Sequence, residues 1–123
     1  MNSTITRRRC LHTAIIFGIG IIATAPSVLA DAVKRRIFDL KIGKRKVDTK
    51  NKTIRLTVGE VISINWTTDE TVELHLHGYD IKTALSPGKT ITMTFQAHTA
   101  GRFPVTAHDF GHATLVYLEI YPK

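Results

Sequence analysis

Two short stretches of the chain carry imidazoles at spacings that suit metal binding. ELHLHGYD, Glu73 to Asp80, places His75 and His77 two residues apart. TAHDFGHATL, Thr106 to Leu115, adds His108 and His112. Residues at i and i+2 of a strand share one face, so an extended ELHLHG brings both rings within reach of one ion. Imidazole suits copper, zinc, nickel and iron alike, so residue type does not select the metal. Strand histidines that bind nothing are also common. A pair becomes a convincing site only when a third donor joins it from another strand.

The elements that must position these residues read as β-strands. TIRLTV alternates Ile54, Leu56 and Val58 against polar residues, and VISINW alternates Ile62, Ile64 and Trp66. TVELHLH alternates Val72, Leu74 and Leu76, and TITMTF alternates Ile91, Met93 and Phe95. RFPVTAH sets Phe103, Val105 and Ala107 against Pro104, Thr106 and His108. TLVYLEIY sets Val116, Leu118 and Ile120 against Leu115, Tyr117 and Glu119. A period of two over such lengths means strands with one buried face. VGE, TTDE, SPGK and TAGR punctuate them as turns. About six or seven short strands in a chain of this size predict an all-β Greek-key sandwich.

Parity then orients the histidines. With Leu74 and Leu76 in the core, His75 and His77 point outward, side by side. With Val105 and Ala107 in the core, His108 points outward too. If the two strands are neighbours, three imidazoles converge on one outer surface. Trp66, Leu74, Phe95 and Phe103 are expected on the inner faces.

The first thirty residues read differently. MNSTITRRRCLHTAIIFGIGIIATAPSVLA has a basic start, an apolar middle and small residues at Val28 and Ala30. That is a secretory signal peptide (residues 1–30) with cleavage after about Ala30, which predicts a periplasmic protein of residues 31–123 with no stable membrane span after cleavage. Thr6, Arg7, Arg8 and Leu11 match the twin-arginine pattern, while Cys10 and His12 replace its Phe and Lys. Cys10 precedes the apolar stretch, so it is not placed as a lipoprotein cysteine, and it is the chain's one cysteine. Residues 31–123 therefore have no disulfide and no thiolate ligand. A domain of that size buries roughly 65% of its unfolded surface, enough to fold without either.

The chain carries 17 Lys and Arg against 10 Asp and Glu. Arg7 to Arg9 leave with the signal, so residues 31–123 hold 14 against 10, a net charge of +4. Much of the excess lies in Lys34 to Arg36 and Lys41 to Lys52. Nucleic acid is excluded as a partner for an exported protein. A solvated edge strand and loop accounts for the charge, and lysines there discourage edge-to-edge aggregation. Contact with anionic lipid or an acidic protein is the other reading. No Ser/His/Asp triad, carboxylate pair or phosphate loop stands out, so no enzyme activity is expected.

On these motifs the chain resembles a cupredoxin domain, over roughly residues 50–122. LHLHGYD resembles the His-x-His-Gly strand of multicopper oxidases. GRFPVTAHDFGH resembles their Gly-x-Trp/Phe-x-x-His-Cys-His-x-x-x-His segment, with Gly101, Phe103, His108 and His112 matching. The departures matter as much. The family's cysteine falls on Ala107, the histidine before it on Thr106, the histidine opening the first motif on Val72, and the axial methionine near Val116. A blue-copper centre needs one thiolate and two imidazoles, so the resemblance implies no blue electron carrier here. It implies a copper site drawn from His75, His77, His108 and His112. His112 has a second reading, as an orphaned ligand buried at the end of the sandwich and bonded to backbone. Asp80 is either an acceptor that orients a ligand imidazole or a turn residue, Asp109 has a similar position beside His108, and His98 matches no ligand position.

Two functions remain open. One is an exported, copper-binding protein that handles the metal through surface histidines. The other is a metal-free cupredoxin-like interaction module. Partners on these readings are a metal ion and another periplasmic protein or a second copy of the chain.

Overall fold

A computed structural model describes residues 18–26 and 32–123. The expected cleavage point after Ala30 and the twin-arginine-like residues lie outside the described residues. Residues 18–26 and residues 32–123 belong to separate units. Residues 18–26 carry no helix or strand. Among the described residues no helix is long and apolar enough to cross a membrane.

Residues 32–123 fold as two facing mixed sheets. The strands are β1 (Arg35–Gly43), β2 (Lys46–Val47), β3 (Thr53–Thr57), β4 (Val61–Thr68), β5 (Val72–Leu76), β6 (Ile81–Leu85), β7 (Ile91–Gln96), β8 (Gly101–Ala107) and β9 (Ala113–Tyr121). A single 3-10 turn, η1 (His108–Phe110), joins the last two. One sheet has the order β2-β1-β4-β7 and the other β3-β9-β8-β5-β6. The chain crosses between sheets repeatedly, so sequence neighbours such as β3 and β4 lie in different layers. Each sheet contains one parallel pair, β1 with β4 and β3 with β9.

The core forms where the alternation expected. β4 buries Ile62, Ile64 and Trp66, each 0% exposed, against Leu74 and Leu76 of β5 and Leu118 of β9 in one apolar cluster. Two strands had a quieter signal. In RRIFDLKIG the apolar set Phe38, Leu40 and Ile42 is interrupted by charge, yet it faces the core as β1. In IKTAL, Ile81 and Leu85 do the same for β6.

The expected alternation of β8 and β9 fails at one place. Val105 pairs with Val116 but Thr106 pairs with Thr114, so Leu115 is an extra residue, a β-bulge. Leu115 is therefore buried beside Val116 rather than outward, while Thr106 keeps its outward parity opposite His75 and is nonetheless only 7% exposed. Phe103 is only half-buried, since its ring lies at the end of the sandwich over Gly78 and Gly101.

Beneath the β3–β4 turn lies a buried carboxylate. Glu60 accepts from the Thr57 N–H at 3.0 Å and pairs with Lys34 at 3.2 Å and Arg36 at 3.5 Å. Burial pushes its pKa up, but the Thr57 N–H, Lys34 and Arg36 together outweigh burial and hold it below its ordinary value. A depressed carboxylate stabilises the fold above its unfolded-state pKa and loses that contribution as pH falls through the folded value. Glu60→Gln should cost about 1–3 kcal/mol at neutral pH. The gap between variant and wild type should shrink below about pH 4.3, the ordinary glutamate value. Thermal melts between neutral and acid pH check this, and a gap that widens on acidification would contradict the assigned sign.

Candidate metal site

β5 lies between β6 and β8, and burial of Leu74 and Leu76 turns His75 and His77 to the outer face. Their ring centroids are 4.1 Å apart, inclined at 43°. Each ring is held at Nε2. His75 Nε2 lies 3.1 Å from the Asp80 carboxylate, and His77 Nε2 lies 2.9 Å from the Thr106 hydroxyl. The Asp80 bond requires an N–H at Nε2 of neutral His75, and the same tautomer at His77 is compatible with Thr106 as acceptor. Both Nδ1 atoms then carry lone pairs and, among the described residues, have no other partner. An imidazole whose far nitrogen donates to a carboxylate or hydroxyl is the usual posture of a metal ligand.

The backbone around the pair explains that posture. Thr106 is the ladder partner of His75, so it shares the outer face with the pair, and it is only 7% exposed there. Its hydroxyl is thereby fixed beside His77, whose own N–H donates to the Pro104 carbonyl at 3.1 Å. Asp80 closes the β5–β6 turn in the left-handed region, φ 51°, so it is both the turn residue and the imidazole's acceptor. Its side chain is 90% exposed, and the contact orients the ring more than it stabilises the fold. Lys82, the ladder partner of His75 on the other side, places a positive charge nearby that opposes any bound cation.

Gly78, which ends the HLHG motif, has a steric reason to be glycine. Its φ is +84°, and a Cβ there would lie 2.3 Å from Cδ1 of Phe103. Phe103 packs edge-on against Tyr79 with centroids 5.1 Å apart. The Tyr79 hydroxyl donates to the Thr99 carbonyl at 3.2 Å and accepts from the N–H groups of His98 and Thr99. One aromatic cluster thus ties the turn after the histidines to the loop before β8. His98 belongs to it, with its ring 4.6 Å from that of Tyr79 and its Nδ1 2.7 Å from the Thr99 hydroxyl. It takes no part in the histidine pair.

The other two candidates lie elsewhere. β8 ends at Ala107, and His108 starts η1 instead of continuing the strand. Gly111 and His112 both turn left-handed, with φ 66° and 59°. His112 is exposed as a result, which corrects the reading that buried it at the end of the sandwich. His108 and His112 meet edge-to-face with centroids 4.7 Å apart. Asp109 does not orient His108; its carboxylate accepts from the Glu73 N–H at 2.8 Å and anchors η1 to the start of β5. The structure therefore brings the four histidines together as two pairs. The expected convergence of His75, His77 and His108 is not seen, because the chain leaves the strand one residue too early. Among the described residues no group of three or more His, Cys, Asp or Glu is placed to hold a metal ion.

No protein-family profile matches the chain, and no curated protein sequence matches it. Solved structures do. A blue copper oxidase from Nitrosomonas europaea matches with 25% identity and a TM-score of 0.60, covering 73% of this chain and 40% of that one. The multicopper oxidase mgLAC matches with 17% identity and a TM-score of 0.62, covering 72% and 39%. A copper binding protein in its apo form matches with 8% identity and a TM-score of 0.60, covering 73% and 91%. The chain thus spans about two fifths of the two oxidases it resembles. Its fold is that of a cupredoxin-like β-sandwich.

Gly78→Ala should destabilise the domain by about 1–3 kcal/mol through backbone strain, with a further loss as Phe103 is displaced. Thermal melting checks the loss. An unchanged melting temperature would mean that the turn does not need its left-handed conformation.

Proposed function

We propose that this protein binds copper outside the cytoplasm through the outward-facing imidazoles of His75 and His77, and that it handles the metal rather than carrying electrons or catalysing a reaction. The observation that carries the reading is the pair itself: two adjacent rings on one face, each engaged at Nε2 and each leaving Nδ1 unpartnered. The likeness to copper proteins of known structure favours copper among the metals that imidazole suits. Two imidazoles form only part of a first shell, and water or a second molecule completes it. Residues 31–123 offer no thiolate, which supports binding over blue-copper electron transfer. The signal-like start, its basic residues followed by an apolar run, supports export. His108 and His112 form a second candidate pair, without the hydrogen-bonded support seen at the first.

The test is a calorimetric copper(II) titration of the protein and its variants. His75→Ala and His77→Ala should each abolish the tightest binding event, and His98→Ala should leave it unchanged. Thr106→Val and Asp80→Ala should weaken it by about 10–100-fold, the range for groups that orient a ligand. Affinity should fall on acidification, because a protonated imidazole cannot ligate. If His75→Ala binds copper as tightly as wild type, the site lies elsewhere.

A separate check is optical. Copper-loaded protein should show only weak visible absorption, since the intense band of thiolate-bound copper(II) needs a cysteine. Titration followed by visible spectroscopy decides this, and an intense blue band from residues 31–123 would overturn the ligand assignment.

A further inference from the structure

The two sheets present edges on the same side of the sandwich, and the structure treats them differently. β3 is an outer strand of its sheet. Its outward-directed groups are occupied by side chains: the Arg55 carbonyl accepts from Arg36 at 2.7 Å, and the Thr57 N–H donates to Glu60 at 3.0 Å. The Arg36–Glu60 pair therefore caps that edge against further strand pairing.

β1 is covered only at its end. β2 pairs with Ile42 and Gly43 alone, and the Asp48 N–H reaches the Lys41 carbonyl at 3.2 Å. Backbone groups alternate in direction along a strand, so those of Ile37 and Asp39 face the same way as Lys41, away from β4. Among the described residues no strand or side chain covers them. Beside this edge runs a groove of about 780 Å³, walled by Arg36, Phe38 and Leu40 on one side and by Thr49 to Arg55 on the other. Its cations Lys50 and Lys52, and Arg35 and Lys41 on the strand, make no ion pair among the described residues. Its one carboxylate, Asp39, is held by the Asn65 amide at 2.8 Å. Ile37 is 70% exposed on the outer face, between charged neighbours. An edge guarded only against aggregation would carry a charge there.

We propose that the open edge of β1, with the basic groove beside it, docks an extended acidic segment of a partner protein, which adds to the sheet as a strand alongside Ile37 and Asp39. Backbone hydrogen bonds supply sequence-independent affinity in this mode, and side chains supply selectivity. The uncommitted lysines select acidic residues. A second copy of this chain fits poorly, because edge-to-edge pairing sets Arg35 and Lys41 against the same cations of its twin. The site is separate from the histidine pair and does not depend on metal.

The probe is a seven-residue peptide alternating glutamate and valine, added to isotope-labelled protein and followed by amide NMR. Shifts and slowed hydrogen exchange should concentrate at Ile37 and Asp39. Ile37→Pro removes an edge donor without touching the ladder to β4, a position where proline is tolerated. It should keep the melting temperature near wild type and lose the peptide. Lys50→Glu with Lys52→Glu should weaken binding by about tenfold or more. A peptide of equal charge with proline in place of valine should not bind. The proposal is overturned if that proline peptide binds equally well, if a lysine–valine peptide does, or if shifts map away from β1. It is also overturned if the β1 amides become protected by self-association without peptide, or if only anionic phospholipid vesicles bind.

Discussion

The candidate site depends first on the burial of Leu74 and Leu76. β5 is an inner strand, paired on both sides, and both leucines are fully enclosed. A slip of one residue would put two imidazoles into the core and two leucines into water. Burying one leucine side chain is worth about 1.5–3 kcal/mol, and an unpaired polar group in the core carries a further penalty. Register in such a strand is therefore strongly specified. The orientation of His75 and His77 follows from hydrophobic burial, before any metal is involved.

Orientation of a face does not by itself set the rings. That second step comes from the neighbouring strand and from the turn that follows the pair. The β5–β8 ladder sets Thr106 opposite His75 and so puts its hydroxyl against His77. The left-handed turn from Gly78 to Asp80 brings a carboxylate back over His75. The turn is in turn pinned by Phe103 and by the three hydrogen bonds of Tyr79. The pair is held by a support that extends to the loop before β8, about twenty residues away in sequence.

This division explains what could be read from the sequence. Strands β3, β4, β5 and β7 were legible because their apolar residues alternate without interruption, and the outward direction of His75 and His77 followed. β1 was less legible because its apolar set is embedded in positive charge, though Phe38, Leu40 and Ile42 hold the right period. The position of His108 was not legible. Alternation continues on paper through RFPVTAH, and nothing within that stretch announces that the strand stops at Ala107 for a three-residue turn. Gly111 was the available signal: a glycine four residues after the strand, able to turn left-handed, marks a reversal too tight for His108 and His112 to stay in line. The bulge was hidden for a related reason, since Leu115 and Val116 are both apolar and either phase of the strand looked acceptable.

The composition of the site bears on how a bound metal would behave. Affinity in a histidine site rises with each imidazole that the fold has already positioned, because less ordering remains to be done on binding. Here β5 positions two, and the ladder partner of His75 is a threonine. The remaining coordination positions would fall to water or to groups from another molecule, and such positions exchange readily. The nearby Lys82 charge works in the same direction, against retention. On the proposed copper reading, a site open on one side would exchange its ion more readily than a closed one.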